Sequence, residues 1–508
     1  MLNRSASRIA WLTASACALV PVVWTLSQLE IARDATVESG QANLDALWPY
    51  WIASGIAWIA LTGVWFHLRR TDQRLDHDDD TPSASARQLR TSALTILLIA
   101  ASARLVTIVT HRPALSDDLY RYIYDGENLA HGVNPYLPVP ATSMQTFDPS
   151  NPFVVREQAW PGERDTARHI NNAELTTIYL PMSQWTFGGI AMTTRDAQWN
   201  LVREERLFRA AFVVIDLVII GLLIVLLARN GRSLWWSVLY AWHPLPIAEI
   251  AGSGHQDVIG IALLLVALLA WHENARLIIR WTIPLALAVL VKPVALPMAL
   301  LLLKGRGWRA WMTSGITGAL TCLIVAAPLW FTQGGEPLNA LRDTSTRFSL
   351  KWAHFGSVYE PTLWMIEKAT NTPEEYWAAD DPASLWSNDR QEQLARIICL
   401  GLIALVILIV WRSRLTPFDG ARVILLAMVL FSSTAHPWYL LWALALAPVA
   451  MSPAVWIASL TISWGYVQLG DVVEWTTPPW VLWCAYVPVY LALAIDLGPR
   501  LIRRRVDV

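Results

Sequence analysis

The chain has 508 residues, of which 55% are hydrophobic and 16% charged, and its net charge is −1. Soluble domains average about 25% charged residues, so this composition describes an integral membrane protein, and the near-zero charge argues against a nucleic-acid partner. Cys17, Cys322, Cys399 and Cys484 all fall inside apolar runs without metal-like spacing, which leaves them as packing residues rather than a disulfide framework or a zinc site.

Apolar runs of about 17–25 residues mark the membrane spans. The first two cover residues 9–29 and 46–66, and the first is expected to be retained because another span follows at once. Residues 68–90 form a charged linker with Arg69, Arg70, Arg74 and the run Asp76-His77-Asp78-Asp79-Asp80, read as solvated chain rather than a metal site. Its arginines place it in the cytoplasm. A third span, 91–110, then delivers the stretch SDDLYRYIYDG, Ser116 to Gly126, to the outer face.

That stretch reads as a short helix with Ser116 as N-cap, Asp117 and Asp118 in the first turn and Gly126 interrupting the pattern. Helical spacing puts Asp118, Arg121, Tyr122 and Asp125 on one face. Two readings stay open. Either this face holds a hydroxylated or anionic ligand, or the aspartates complement the helix dipole and Arg121 makes a surface ion pair.

An outer loop over 111–205 precedes spans at 207–227, 234–250 and 258–271, and within it the semi-apolar piece Thr177 to Gln184 is expected to lie against the membrane. The polar turn Gly252-Ser-Gly-His-Gln-Asp257 faces outward on the same count. Residues 277–303 carry Lys292-Pro293 near the middle and positive charge at both flanks, which predicts a broken hairpin with Lys292 near its tip. Spans at 311–331, 394–411, 422–447 (interrupted at His436-Pro437-Trp438-Tyr439), 454–469 and 481–497 follow, separated in part by an outer loop, 332–393, that carries Trp352, Trp364, Trp377 and Trp386. The expected fold is thus an all-α polytopic membrane protein of about 14 segments, with both termini inside and short amphipathic helices in the outer loops. It divides into 1–90, a catalytic region 91–497 and a basic tail 498–508 with Arg500, Arg503, Arg504 and Arg505.

Asp117, Asp118, Arg121, Tyr122, Asp125, His255, Asp257 and His436 gather on the outer side, with Lys292 reaching up from the hairpin. Ionisable groups at membrane depth are costly and default to function. A carboxylate beside neutral histidines and a lysine suits deprotonation of a hydroxyl while cations hold a phosphate leaving group. Taken singly, each residue has a blander role. His255 and Asp257 cap a helix, His436-Pro437 makes a turn, and Trp438 and Tyr439 belong to an interfacial belt. Their coincidence on one face favours function.

Asp118-Leu-Tyr-Arg-Tyr-Ile-Tyr-Asp-Gly, continuing to Gly132-Val-Asn-Pro-Tyr136, resembles the first outer-loop motif of GT-C glycosyltransferases, most closely the bacterial mannosyltransferases that use polyprenyl-phosphate-mannose. Tyr179-Leu-Pro181 with Gln184, Gly254-His-Gln-Asp257, Lys292-Pro293 and His436-Pro-Trp-Tyr439 resemble later elements in the same order, over about residues 91–497. The resemblance implies an inverting, metal-independent transfer without a cofactor, from a lipid-phosphate hexose to a glycolipid, glycan or protein. It makes Asp118 the base, with Asp117 beside it as the alternative. Arg121, Tyr122, Asp125, Tyr136, His255, Asp257, Lys292, His436, Trp438 and Tyr439 then contact substrate, at a site facing the periplasm from a bacterial inner membrane. The helix N-terminus is expected to lower the pKa of Asp118. A secondary transporter predicts an inverted repeat, and none is visible. A non-catalytic subunit that binds a lipid-linked sugar predicts that Asp117 and Asp118 are replaceable.

Overall fold

The computed structural model describes residues 2–37, 47–75, 85–143, 158–195, 197–370, 388–470 and 477–506. The Asp76–Asp80 run, Trp377 and Trp386 lie outside them, and so do the side chains of the basic tail. The described chain is helical, and eight of its helices are long and apolar enough to cross a membrane. The principal ones are α1 (Leu2–Val37), α2 (Leu47–Leu75), α3 (Ala86–Thr110), α4 (Asp118–Ala130), α5 (Pro181–Ala191), α6 (Leu201–Arg229), α7 (Asp257–Asn274), α8 (Ile278–Val289), α9 (Met298–Leu302), α10 (Trp308–Trp330), α11 (Glu336–Lys351), α12 (Tyr359–Thr370), α13 (Asn388–Arg412), α14 (Pro417–Phe431), α15 (Pro453–Thr461) and α16 (Pro479–Val506). The membrane-length helices expose many large apolar side chains, as on α10 (Ile316, Leu320, Leu323, Ile324) and α13 (Ile397, Leu400, Leu405). Such outward faces belong in hydrocarbon.

The expected count of about 14 segments exceeds eight because several crossings are broken. Residues 234–250, expected as one span, fold as a 3-10 turn at Leu234–Ser237, a short helix at Val238–Ala241 and a π turn at Ile247–Gly252. Pro244 and Pro246 lack the N–H that a continuous helix needs, so the backbone regroups at each. Apart from the half-buried Trp235 this irregular chain is buried, where protein satisfies its backbone. Residues 437–444 are likewise short turns, Pro437–Leu440 and Leu441–Leu444.

The hairpin expected around Lys292 is present. α7, with 18 residues, is about 27 Å long. Three residues separate its C-terminal end from α8, and Lys292 Nζ meets Asp257 at the other end of α7, at 2.9 Å. The chain then returns, so that Trp271 Nε1 donates to Leu302 O at 3.1 Å. Lys292 is therefore the tip; α8 packs along α7, and the return leg meets α7 again at Trp271.

The two ends of the bundle differ in charge. One end holds Arg229 paired with Glu273, Arg232 on Pro448 O (3.1 Å) and near Asp72 (3.8 Å), and Lys304 on Ser413 O. The other end gathers α4, the Gly252–Asp257 turn, Lys292 and His436. The first two helices, set apart in the sequence reading, are packed into this body. Trp58 Nε1 donates to Trp456 O (2.9 Å) and Trp456 Nε1 to Thr62 Oγ1 (2.8 Å). Midway between the ends, fully buried Arg104 and Asp216 pair at 2.5 Å, Tyr240 Oη donates to Asp216 at 2.7 Å, and Arg104 Nη1 donates to Ala241 O at 2.8 Å. These contacts tie α3, α6 and the broken crossing together.

Candidate active site

α4 supports the site from one side. Its N-cap is Asp117, not the expected Ser116, and Ser116 Oγ instead accepts the Asp118 N–H at 3.2 Å. Gly126 does not interrupt the helix, which runs to Ala130. A Cβ there would lie 2.7 Å from Phe187 O, so glycine permits the close crossing of α4 on α5. The Thr177–Gln184 piece accordingly runs into a helix against α4, where Tyr122 stacks on Phe187 at 4.7 Å. Such pairs add about 0.5–1.5 kcal/mol beyond burial and fix the ring that faces Asp118.

The expected polar face of α4 divides. Tyr122 Oη points to Asp118 Oδ2 at 3.5 Å. Arg121 turns away and donates to Leu175 O (3.1 Å) and Asn172 O (3.2 Å), Asp125 accepts from Gln184 Nε2 (2.9 Å), and Tyr136 Oη donates to Tyr179 O (2.8 Å). Arg121 and Asp125 therefore bind the 172–184 loop to α4, and Tyr136 binds it to the segment that follows α4, each satisfying a group that would otherwise be buried bare.

The turn before α7 brings up the second side. Gly254 has φ +77°, and a Cβ there would press on Leu119 at 2.9 Å and Arg209 at 3.0 Å. That left-handed residue aims His255 inward. His255 Nδ1 lies 3.8 Å from Asp118 Oδ2, and its Nε2 lies 3.4 Å from Glu249 Oε2. Asp257 does not cap α7; its Oδ1 accepts from Lys292 Nζ and from Trp442 Nε1 at 2.6 Å. Lys292 Nζ also sits 3.6 Å over the Tyr439 ring, a cation–π contact.

His436 and Trp438 complete a stack. His354 lies 4.4 Å from His436, His436 lies 4.2 Å from Trp438, and Trp438 lies 3.8 Å from His255, all near parallel. Both faces of Trp438 are thus taken by imidazoles, so it props them rather than offering a face to a sugar. His354 arrives on a short parallel bridge to Thr434, with its N–H on Ser433 O (2.9 Å) and its O accepting from Ala435 N (2.8 Å).

Asp118 is the most open of the three central acids, with 22% of its side chain exposed against 3% for Asp257 and none for Glu249. Burial and then the neighbouring Asp117 raise its pKa to about 6, with Tyr179 and Lys292 acting the other way. The expected lowering by the helix N-terminus is overturned, because removal from water outweighs one turn of dipole. Burial and Lys292 hold His255 well below the usual histidine range, and burial with His354 and His255 does the same for His436. Both imidazoles are neutral near pH 7.

A cavity of about 450 Å³ opens beside this cluster, with Lys292, Tyr439, Trp442 and Thr434 near the site and Ile403, Leu425 and Met428 deeper in. The hairpin tip Lys292–Val294, the end of α11, α13 and α14 line it, with Lys292 at the site and an apolar wall along α13 and α14. Among the described residues no group of three or more His, Cys, Asp or Glu is placed to share a metal ion.

Glu249, His354 and Trp442 were missed in the sequence. Glu249 had a signal, a lone carboxylate inside the apolar run 244–251, which defaults to function at membrane depth. His354 and Trp442 had none, since their partners are remote in the chain.

A family model described as alpha-(1->6)-mannopyranosyltransferase, N-terminal domain (MptA_B family) matches residues 12–305, and one described as MptB C-terminal domain matches residues 388–497. The first match takes in α1 and α2 as well as α4, His255 and Lys292. No curated protein and no solved structure gives a significant match.

Proposed function

The chain belongs to the alpha-(1->6)-mannopyranosyltransferase family, and on that premise we propose that it moves mannose from a polyprenyl-phosphate donor to an acceptor hydroxyl, with inversion and with Asp118 as base. The observation that carries this reading is a partly open carboxyl next to a cavity that has Lys292 at its polar end and an apolar interior.

In the reaction the acceptor O–H gives its proton to Asp118, the acceptor oxygen bonds to C1 of the sugar, and the C1–O bond to phosphate breaks. The products are the mannoside and a polyprenyl phosphate. Lys292, steered by Asp257 and Tyr439, meets the charge that grows on the departing phosphate. The apolar part of the cavity takes the isoprene units nearest the phosphate. A pKa near 6 makes Asp118 a stronger base than an ordinary aspartate while leaving it ionised at neutral pH. Arg229, Arg232, Arg276 and Lys304 at the opposite end make that end cytoplasmic by the positive-inside rule, which turns the site outward.

An α-linked product formed with inversion requires a β-linked mannosyl phosphate. The test is transfer of labelled mannose by the purified chain to an α-mannoside acceptor from β- and α-linked polyprenyl-phosphate-mannose, with and without chelator. The β donor alone should be used, and chelator should change nothing. Use of the α donor overturns inversion, loss with chelator overturns the metal-free reading, and activity only with a nucleotide sugar overturns the lipid donor.

A further inference from the structure

Glu249 has no part in the reaction as written, yet it is fully buried on the π turn Ile247–Gly252, a local geometry that recurs at functional sites. Tyr466 Oη donates to its Oε1, and among the described residues its Oε2 has the His255 imidazole, at 3.4 Å, as its near polar neighbour. The groups facing it are Tyr466, the Tyr50 phenol, His255 and, farther off, Asp257. Arg209 and His111 border the same turn, but Arg209 is spent on the carbonyls of Ala251, Gly252, His111 and Ile108. Among the described residues no Lys or Arg pairs with Glu249. A carboxyl so enclosed by phenols and an imidazole is cheapest as a neutral donor.

We infer that Glu249 is a positioning residue for the transfer: its O–H donates to His255 Nε2 and so fixes the tautomer whose Nδ1–H points at Asp118 Oδ2. The result is a chain of three donors, from Tyr466 to Glu249 to His255 to Asp118, in which only the last group is charged. His255 Nδ1 and Nε2 and Glu249 Oε2 are buried atoms without a partner inside ordinary hydrogen-bond distance, and this one chain accounts for all three. The separations are 3.4 and 3.8 Å without substrate, and catalytic hydrogen bonds of this length commonly tighten in the reacting complex. Donation at Oδ2 leaves Oδ1 to take the acceptor proton. His255 also faces Lys292 and, through Trp438, His436, neither of which offers a donor to Nε2. The inference rests on Asp118 as the base.

Gln at 249 keeps an N–H donor without a titrating proton, whereas Leu removes it. Glu249→Gln should stay within about threefold of wild-type kcat, while Glu249→Leu should lose about 10–100-fold in kcat with little change in KM. Without the donor, the acid limb of the Glu249→Leu pH profile should move to higher pH. His255→Ala should match Glu249→Leu, and the double variant should be no worse than either. Equal inactivity of Gln and Leu variants overturns a neutral donor, and additive losses at 249 and 255 overturn the coupling. Wild-type kcat in Glu249→Leu overturns the role itself. Asp118→Asn, run alongside, separates these outcomes: if it stays active, the base assignment fails whatever Glu249 does.

Discussion

Arg104 with Asp216, and Asp118 with His255 and Glu249, are both sets of buried ionisable groups in an apolar bundle, yet they are finished differently. Asp216 receives Arg104 and Tyr240 at 2.5 and 2.7 Å, and Arg104 spends a further nitrogen on two carbonyls, leaving one Nη over. At the other cluster the nearest approaches are 3.4 and 3.8 Å, and both ring nitrogens of His255 are unfilled. Water reaches Asp118 and not Asp216. A closed set of short contacts clamps helices, whereas an open set keeps capacity for a substrate's proton. Proximity of ionisable groups alone does not separate the two, but satisfaction and access do.

Changes at four places break or sharpen this contrast, taken from the largest effect down. Asp118→Asn should cut transfer by about 10³-fold or more while the protein folds and melts normally in detergent. Arg104→Met leaves the buried Asp216 charge with the Tyr240 hydroxyl but without its cation and should cost about 3–5 kcal/mol, read as a fall in melting temperature and yield, whereas Arg104→Met with Asp216→Leu should recover most of it with activity intact. Failure of the double variant to recover would make the pair more than a clamp. Lys292→Gln removes one charged phosphate contact, about 1.5–3 kcal/mol, and should lower transfer roughly 10–100-fold in kcat/KM for the donor. Asp117→Asn takes a negative neighbour from Asp118, so the Asp118 pKa falls and the acid limb of the rate profile moves to lower pH with the plateau kept. Loss of the plateau in Asp117→Asn would make Asp117 the base instead.

Much of this architecture is legible in the sequence because the bilayer fixes segment length and penalises stray charge. Lys292 with its basic flanks announced a hairpin for that reason, and the arginine-bearing loops did gather at one end. What local pattern cannot carry is tertiary burial. The dipole argument for Asp118 used its own helix, but its pKa is set by removal from water and by Asp117. Tyr466 is 217 positions from Glu249, and Thr434 is remote from His354, so neither pairing leaves a local trace. Trp438 reads as a belt residue, or by the resemblance as a substrate contact, until its two imidazole neighbours are seen. The proline-broken crossing near 244–252 failed as a continuous span for the same reason, since only its burial makes so irregular a backbone tolerable.

The most direct test of Asp118 as base is the pH dependence of kcat/KM for mannosyl transfer in the wild type and in Asp118→Asn. A raised carboxyl that must be ionised to act predicts activity that climbs with pH, with its midpoint near 6, and is lost as pH falls through that value. Asp118→Asn should show neither the rate nor the limb. An Asp118→Asn variant that keeps both would contradict the account.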